Sequence, residues 1–471
     1  KTWSHSDILE VQASIFLGWR STLPNIRRKT QRKTGKLFLM INNEYFDRDW
    51  DWHKTISKKC LAPWHSLTID WTGNVYADAV ATQPYGSLYE NTLSEMWESD
   101  KAVNLRNSWN EDKFDNPICK KCFKKEETSG SSRRQYFYSN FEPEQIQKAT
   151  YEVESKPDIW YLEINPSNKC NLKCRMCSGL ISSTWIKDEM QLKQKFPSWM
   201  PDREIGEYQK LEFDIIKNLL EKKEHFKNLQ FLKLTGGEPL MEEQNYQIME
   251  QFIDWDIAKD VILDINTNGT IFNERLYKIA EQFKMVKLHI SIEGTGELYQ
   301  YIRGGENFTI EQLENNIKNF NKLSNTLIIY TVTVQAYNIF DIANIWKWYL
   351  KIRKPTNEIY FKNVVVNPRY LSFHVLPNEI KQQAKQLLID EKLPLNDWWQ
   401  YDEKGKAQGS IGFKNIIEGL NNDNYYSIEE RDKFLKEFVQ FTNDLDKIRN
   451  TNIKEIVPQL KELFERTYET V

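Results

Sequence analysis

The sequence predicts an α/β protein: a partial (β/α)6 barrel, with a small α+β domain containing a β-hairpin ahead of it and a helical region behind it. Three observations carry this expectation. Between residues 158 and 368, six short apolar runs alternate with stretches of helical periodicity, the pattern of parallel strands joined by right-handed crossovers. Residues 60–80 show a hairpin pattern close to a cysteine. Beyond residue 376 the strand-like runs stop and amphipathic helical stretches follow.

Taken in order, residues 1–57 read as an N-terminal extension. Its basic run (Arg27, Arg28, Lys29, Arg32, Lys33, Lys36) suits a solvated loop or helix face better than a phosphate or acidic-partner patch. Residues 58–150 form the small domain. There His65 to Trp71 alternates polar and apolar residues, Thr72-Gly73-Asn74 makes a turn, and Val75-Tyr76 begins the return strand. Leu93 to Leu105 reads as one amphipathic helix, and Glu126 to Arg134 as a polar linker. The barrel spans 155–368. Its expected strands are Ile159–Ile164, Phe231–Leu234, Val261–Ile265, Val286–Ile292, Leu327–Val334 and Ile359–Val366. Expected helices between them include Asn245–Asp254, Glu274–Phe283, Ile310–Asn321 and Ala343–Ile352. Residues 369–471 form the helical region, with helices over Glu379–Ile389, Glu429–Arg449 and Ile453–Thr467.

Composition narrows the function. Of 471 residues, 40% are hydrophobic and 28% charged, enough apolar surface for a large core and too much for a disordered chain. No run approaches the ~18 apolar residues of a membrane span. A net charge of -3 excludes a histone-like coat for nucleic acid, and nucleic acid is not favoured as a partner. The start, Lys1 to His5, shows no apolar segment of a secretory signal, and the absent initiator Met leaves room for a trimmed leader. All six cysteines fall at or before Cys177, and such clustering in a large chain points to metal ligands rather than disulfides.

The central group is Cys170-Asn-Leu-Lys-Cys174-Arg-Met-Cys177, directly after the first barrel strand. Three thiolates within eight residues suit three corners of a cubane cluster, leaving a fourth iron open. Structural zinc is the rival, but it would want a fourth Cys or His, and none follows locally. This motif resembles that of the radical S-adenosylmethionine (radical SAM) superfamily, and further motifs arrive in that family's order. The resemblance implies SAM contacts at Met176; at Gly236, Gly237 and Glu238 after the second strand; at Asn266 and Asn268 after the third; at Ser291 after the fourth; at Arg303; and at Gln335 after the fifth. The family usually has Asp where this chain has Glu293. It also implies a reaction type: reductive cleavage of SAM to a 5′-deoxyadenosyl radical, which abstracts a substrate hydrogen.

Upstream, Cys60-Leu-Ala-Pro-Trp-His65, the hairpin and Cys119-x-x-Cys122 resemble a twitch domain, the short relative of SPASM domains that hold auxiliary 4Fe–4S clusters. The chain is similar to the subset in which that domain precedes the barrel. Those relatives carry a Pro-Cys-Cys-like segment after the hairpin, where this chain has Ala77-Asp78-Ala79. Three readings stay open: Asp78 completes a Cys3Asp site; one iron is open or takes a ligand from elsewhere; or the site holds zinc with His65 or is degenerate. An auxiliary cluster would accept an electron and make the net reaction an oxidation. The resemblance thus implies a peptide- or protein-modifying oxidoreductase. Alternatives are a dehydrogenase or epimerase of a small-molecule alcohol or sugar, and a non-catalytic metal-binding protein. A flavodoxin- or ferredoxin-type reductant and a reducing cytoplasm are implied. Of the other residues, His289 is expected to pack rather than react, and Glu242 and Glu243 to start a helix in solvent.

Overall fold

The computed structural model describes residues 60–79, 81–111, 119–120, 122–124, 132–141, 143–196, 206–210, 215–305, 308–365, 367–393 and 412–466. The expected N-terminal extension with its basic run, and most of the expected linker, lie outside the described residues. One sheet organises the rest. Its strands are β1 (Ser66–Ile69), β2 (Asn74–Tyr76), β3 (Gly86–Ser87), β4 (Tyr161–Ile164), β5 (Phe231–Leu234), β6 (Ile262–Thr267), β7 (Met285–Ser291), β8 (Thr326–Val334) and β9 (Glu358–Val364), in the order β3-β2-β1-β4-β5-β6-β7-β8-β9. Strands β4 to β9 run parallel in sequence order, as six crossover units require. Strands β3 and β9 are the two edges, so the barrel is partial.

The strands are buried on both faces, and the two faces differ. Leu162, Leu232, Leu263, Leu288 and Ile328 point outward into the apolar layer shared with the crossover helices Glu243–Asp254, Glu274–Ala280, Gly296–Arg303, Ile310–Phe320 and Ile342–Ile352. The intervening positions, with the opposite orientation a strand imposes, line the lumen. At its N-terminal mouth these are Tyr161, Phe231, Ile262 and Met285, which form a second apolar cluster with Leu61, Phe137 and Phe141. One layer further in, neighbouring strands place Glu163 beside Lys233, Lys233 beside Asp264, and Asp264 beside Lys287.

Four features depart from the sequence expectation. Strand β1 pairs in parallel with β4, Ser66 opposite Tyr161 and Thr68 opposite Glu163, so the hairpin and the barrel share one sheet. The expected helix from Leu93 to Leu105 is two helices, Leu93–Trp97 and Asp100–Asn110, because the Ser99 hydroxyl accepts from Ala102 N and starts a new helix. The expected linker ends in a helix, Arg133–Asn140, begun by a reciprocal cap between Ser132 and Gln135. It buries Arg133 and Arg134 and plugs the barrel mouth with Phe137 and Phe141. The last expected helix breaks into Ile453–Ile456, a turn at Pro458–Leu460, and Lys461–Glu465, since Pro458 has no N–H to continue the ladder.

Candidate active site

The cysteine loop leaves β4 at its C-terminal end, and Cys170, Cys174 and Cys177 are free thiols. Cys177 N donates to Cys174 O at 2.8 Å, folding the last two cysteines together. Their side chains share a hydrogen bond that pushes the Cys174 thiol down and the Cys177 thiol up. Burial, with Cys174 beside it, pushes Cys170 up to about 12. A protein fold must bring several neighbours close to hold such a loop. Gly237 provides one: a Cβ there would lie 2.3 Å from Lys169 O, so only glycine permits the contact. Beside it, Glu238 N donates to Lys169 O at 2.7 Å. On the other side Trp185 Nε1 donates to Cys174 O at 2.6 Å, and the Ser182 and Thr184 hydroxyls both donate to Leu172 O at 2.7 Å. Arg175 N donates to Ile302 O, while the Arg175 guanidinium pairs with Asp446 and lies 3.5 Å over the Tyr301 ring.

The residues expected to contact SAM gather at the C-terminal ends of β4 to β8. Asn266 is buried, and neither its Oδ1 nor its Nδ2 has a hydrogen-bond partner. Gln335 Oε1 and Arg303 Nε are likewise buried without partners. Arg303 Nη1 donates to Glu293 Oε2 at 2.8 Å, which gives the Glu at this position a defined role. Asn268 Nδ2 lies 2.8 Å from Asn171 Oδ1 and 3.8 Å from Cys170 Sγ. Ser291 ends β7 half-buried, and Met176 is buried in the core. Glu238 is used differently from the rest. Its Oε1 accepts from Thr267 Oγ1 at 2.8 Å and Leu240 N at 3.2 Å, and its Oε2 from Asn268 N at 2.7 Å. It braces the loop after β5 against the loop after β6, and burial pushes its carboxyl up to about 7. Glu242 is a correction to the sequence expectation. It is buried and accepts from Ser167 Oγ at 2.7 Å, tying the cysteine loop down, whereas Glu243 is exposed beside Arg275.

Cys60 precedes β1 at the opposite end of the sheet, with Cys119 and Cys122 in its neighbourhood. Burial pushes the Cys60 thiol well up, and Cys122, Asp78 and Arg134 are its charged neighbours. Burial and Cys122 push Cys119 up to about 12, and Cys119 packs with Trp64 and Trp109. Asp78 is buried nearby. Its Oδ1 accepts from Arg133 Nε at 2.8 Å and from Ala79 N at 2.7 Å. Arg133 Nη2 donates in turn to Glu163 Oε2 at 2.9 Å, inside the lumen. His65 stacks on Trp160 at 3.8 Å and its Nδ1 lies 2.9 Å from Asp158 O. His289, expected only to pack, faces the lumen with Nε2 3.4 Å from Asp264 Oδ1, and Lys233 Nζ lies 3.3 Å from the same oxygen.

Among the described residues, no three His, Cys, Asp or Glu side chains converge as ligands of one ion would. A cubane asks for something else, one thiolate for each of several irons. The free thiols on one loop, and the unpartnered polar atoms of Gln335 and Arg303, have the chemistry to meet such a cluster and a polar cofactor, with those of Asn266 open to a further polar ligand.

Comparison with known proteins agrees. Residues 164–344 match the Radical SAM superfamily, and residues 60–123 match the iron-sulfur cluster-binding domain called SPASM. Over 133 residues the chain is 24% identical to the GTP 3',8-cyclase of Aliarcobacter butzleri (strain RM4018), across 28% of this chain and 34% of that protein. The GTP 3',8-cyclase of Sulfurimonas denitrificans (strain ATCC 33889 / DSM 1251) is 23% identical over the same shares. The match thus spans about a third of the length of these curated relatives. Among solved structures, native anSMEcpe with bound AdoMet is 19% identical, covering 56% of this chain and 66% of that one, with a TM-score of 0.35. Streptococcus suis SuiB bound to precursor peptide SuiA is 12% identical, covering 71% and 67%, with a TM-score of 0.30. The cofactors that go with the two matched domains are a 4Fe–4S cluster with SAM, and an auxiliary iron–sulfur cluster. Residues 164–344 thus carry a radical SAM domain, with an iron–sulfur cluster-binding domain ahead of it at residues 60–123.

Proposed function

We propose that the chain oxidises a side chain of a peptide or protein, removing hydrogen at one end of the barrel lumen and an electron at the other. In this reading Cys170, Cys174 and Cys177 hold the radical cluster, and Cys60, Cys119 and Cys122 hold the auxiliary one. The domain partition follows: 58–150 for the auxiliary site, 155–368 for the barrel and 369–471 for the helical region. The observation that carries the proposal is the buried chain from Asp78 through Arg133 to Glu163, which joins the Cys60 neighbourhood to the lumen.

SAM, bound at the reduced cluster, supplies the 5′-deoxyadenosyl radical. The protein's part is to hold it and keep water out. Asn268, Ser291, Gln335 and Arg303 take its polar groups, Asn266 is left to face the substrate, Gly236 and Gly237 let the loop after β5 approach, and Glu238 braces that loop. The first electron comes from a flavodoxin- or ferredoxin-type reductant in a reducing cytoplasm. A cluster held by Cys60, Cys119 and Cys122 would supply an acceptor for the electron that the substrate radical gives up together with a proton.

The peptide reading is supported by the sheet, which is open between its edges β3 and β9. A triphosphate, which the name of the curated relatives calls for, needs cations left over to meet it. In the described lumen Arg133, Lys233 and Lys287 each already have a carboxylate beside them: Asp78 and Glu163 for the first, Asp264 for the second, and Asp264 and Glu358 for the third. The test is to incubate the anaerobically reconstituted chain with dithionite, SAM and a pool of synthetic peptides deuterated at the β-carbon of Ser, Thr or Cys. Deuterium in 5′-deoxyadenosine, with a peptide lighter by two hydrogens, is the expected result. Deuterium arriving only from a pool of labelled sugars and alcohols would overturn the peptide reading in favour of a small-molecule dehydrogenase, or of an epimerase if no hydrogen is lost overall.

A further inference from the structure

We infer that His289, held by Asp264, is the base that takes the proton in this oxidation, and that Asn266 positions the group that loses it. The inference rests on the peptide-oxidation reading above and adds the chemistry of the group oxidised: a carbon bearing a hydroxyl, thiol or amine.

Three observations carry it. First, His289 lies on the lumen face of β7, two residues before Ser291. Its side chain is 19% exposed, while His65, His225 and His374 are 2%, 6% and 6% exposed and packed. Second, its Nε2 faces Asp264 Oδ1 at 3.4 Å. With Nε2–H turned to that carboxylate the lone pair sits on Nδ1, the atom left to accept a proton. Burial pushes the Asp264 carboxyl up, but Lys233, His289 and Lys287 together hold it well below the usual carboxylate range, so it stays ionised as the orienting partner. Third, Asn266 stands directly beside His289 in the register between β6 and β7, a strand spacing of about 4.8 Å away. It is 8% exposed, with both amide atoms unpartnered. A buried amide left unpaired is destabilising, which makes it a receptor for a polar group that arrives from outside. Its N–H can donate to the heteroatom of an X–H group and its carbonyl can accept from a neighbouring peptide N–H.

The step balances. The 5′-deoxyadenosyl radical takes a hydrogen atom from the carbon that bears X–H. The X–H bond then breaks and its proton goes to Nδ1 of His289. Of the two electrons of that bond and the unpaired electron on carbon, two form the C=X π bond. The third passes to the auxiliary iron–sulfur cluster, which is reduced by one electron.

The experiment uses the reconstituted full chain, the β-deuterated peptide pool, and the variants His289→Gln and Asp264→Asn. His289→Gln keeps an N–H for Asp264 but cannot take a proton. Deuterium transfer into 5′-deoxyadenosine is expected to persist within about twofold, while oxidised peptide per 5′-deoxyadenosine falls by about 100-fold or more, the range of a lost general base. An unchanged ratio in His289→Gln, with iron content intact, overturns the inference and leaves the peptide reading standing. No deuterium transfer from peptide to the unaltered enzyme overturns that reading and the base with it. A readout free of turnover is carbethoxylation by diethyl pyrocarbonate, mapped by mass spectrometry. His289 is expected to react ahead of His65, His225 and His374, and a His289 that stays unmodified while those react would overturn its access to the lumen.

Discussion

Removing the charge of Asp446 should open the cysteine loop. Arg175 lies inside that loop with a side chain that is wholly buried. Its guanidinium pairs with Asp446, donates to Thr451 Oγ1 at 2.9 Å and to Tyr301 O at 3.0 Å, and lies over the Tyr301 ring. Asp446 sits near the end of the helix Ile428–Arg449, so this pair fastens the C-terminal region to the first barrel loop. Breaking one side of a buried pair costs about 3–5 kcal/mol, because the other charge stays desolvated. Thr451, Tyr301 O and the ring contact remain in Asp446→Asn, which places the cost near the lower end, at roughly 3 kcal/mol. At about 1.4 kcal/mol per factor of ten, the open population of the loop rises roughly 100-fold. Amide hydrogen exchange followed by mass spectrometry on the anaerobic chain reads this directly. Segments 170–184 and 438–449 should exchange about 100-fold faster, with segment 262–291 unchanged because the clamp is local. The double variant Arg175→Met with Asp446→Leu should recover most of the protection, since an apolar pair leaves no charge unmatched. Exchange in Asp446→Asn within threefold of the parent in both segments would refute the clamp.

Further outcomes follow from the same geometry. Two cubanes would bring about eight irons per chain after anaerobic reconstitution, and Cys60→Ser, Cys119→Ser or Cys122→Ser should lower this to about four; a parent chain already at four would remove the basis of the oxidative reading. Arg133→Met leaves the Asp78 and Glu163 carboxylates buried without their shared cation, at a cost of about 3–5 kcal/mol, and should reduce iron loading at the Cys60 site before it affects the Cys170 site; equal losses at both would contradict this placement. For Glu238, burial raises the carboxyl from 4.5 to about 7. The folded state therefore holds this proton more tightly than the unfolded chain, so the stabilisation is full below about 4.5 and lost as pH rises to about 7, roughly 3 kcal/mol in all. Glu358 is raised to about 7 as well, chiefly by burial. Urea unfolding of the apo chain at pH 5 and pH 8 should show the loss, and Glu238→Gln should remove about half of the slope.

What was legible in the sequence is what local pattern encodes. The six barrel strands and their crossover helices appear because apolar runs and helical periodicity are short-range signals, and the ends are right to within a few residues, as at Val286–Ile292 against the observed Met285–Ser291. The positions of Gly236, Gly237, Asn266, Asn268, Ser291 and Gln335 at or just past strand ends are legible for the same reason, whereas Arg303 ends a helix. The pairing of β1 with β4 is not, because parallel neighbours separated by some ninety residues share no turn that announces them. Arg133 was hidden in a polar stretch that composition assigns to solvent; only its burial against Tyr136, Phe137 and Tyr161 makes it a core cation. Arg175 sits between two cysteines with nothing local to mark it, and its partner Asp446 lies 271 residues away. His289 was discounted because periodicity places it on a strand without saying that the inner face of this barrel is charged.

The replacement at Asp78 is where the structure constrains the auxiliary site most. A carboxylate in place of a cysteine adds a buried negative charge, and Arg133 answers it, with Glu163 on the guanidinium's far side. One carboxylate oxygen is thereby committed to Arg133 and Ala79 N. Ligation through the other oxygen would make the group share its charge between a guanidinium and an iron, and a shared carboxylate is a weaker partner for iron than the thiolate it replaces. The same side chain explains itself more fully as the counter-ion of Arg133, which the lumen needs to keep Glu163 and its neighbours matched. His65 stacks on Trp160 with Nδ1 at Asp158 O, while its Nε2 is buried without a partner, the orientation a ligating histidine has. The commitments of Asp78 point away from it as an iron ligand and leave the position beside Cys60, Cys119 and Cys122 to His65 Nε2 or to a ligand from outside.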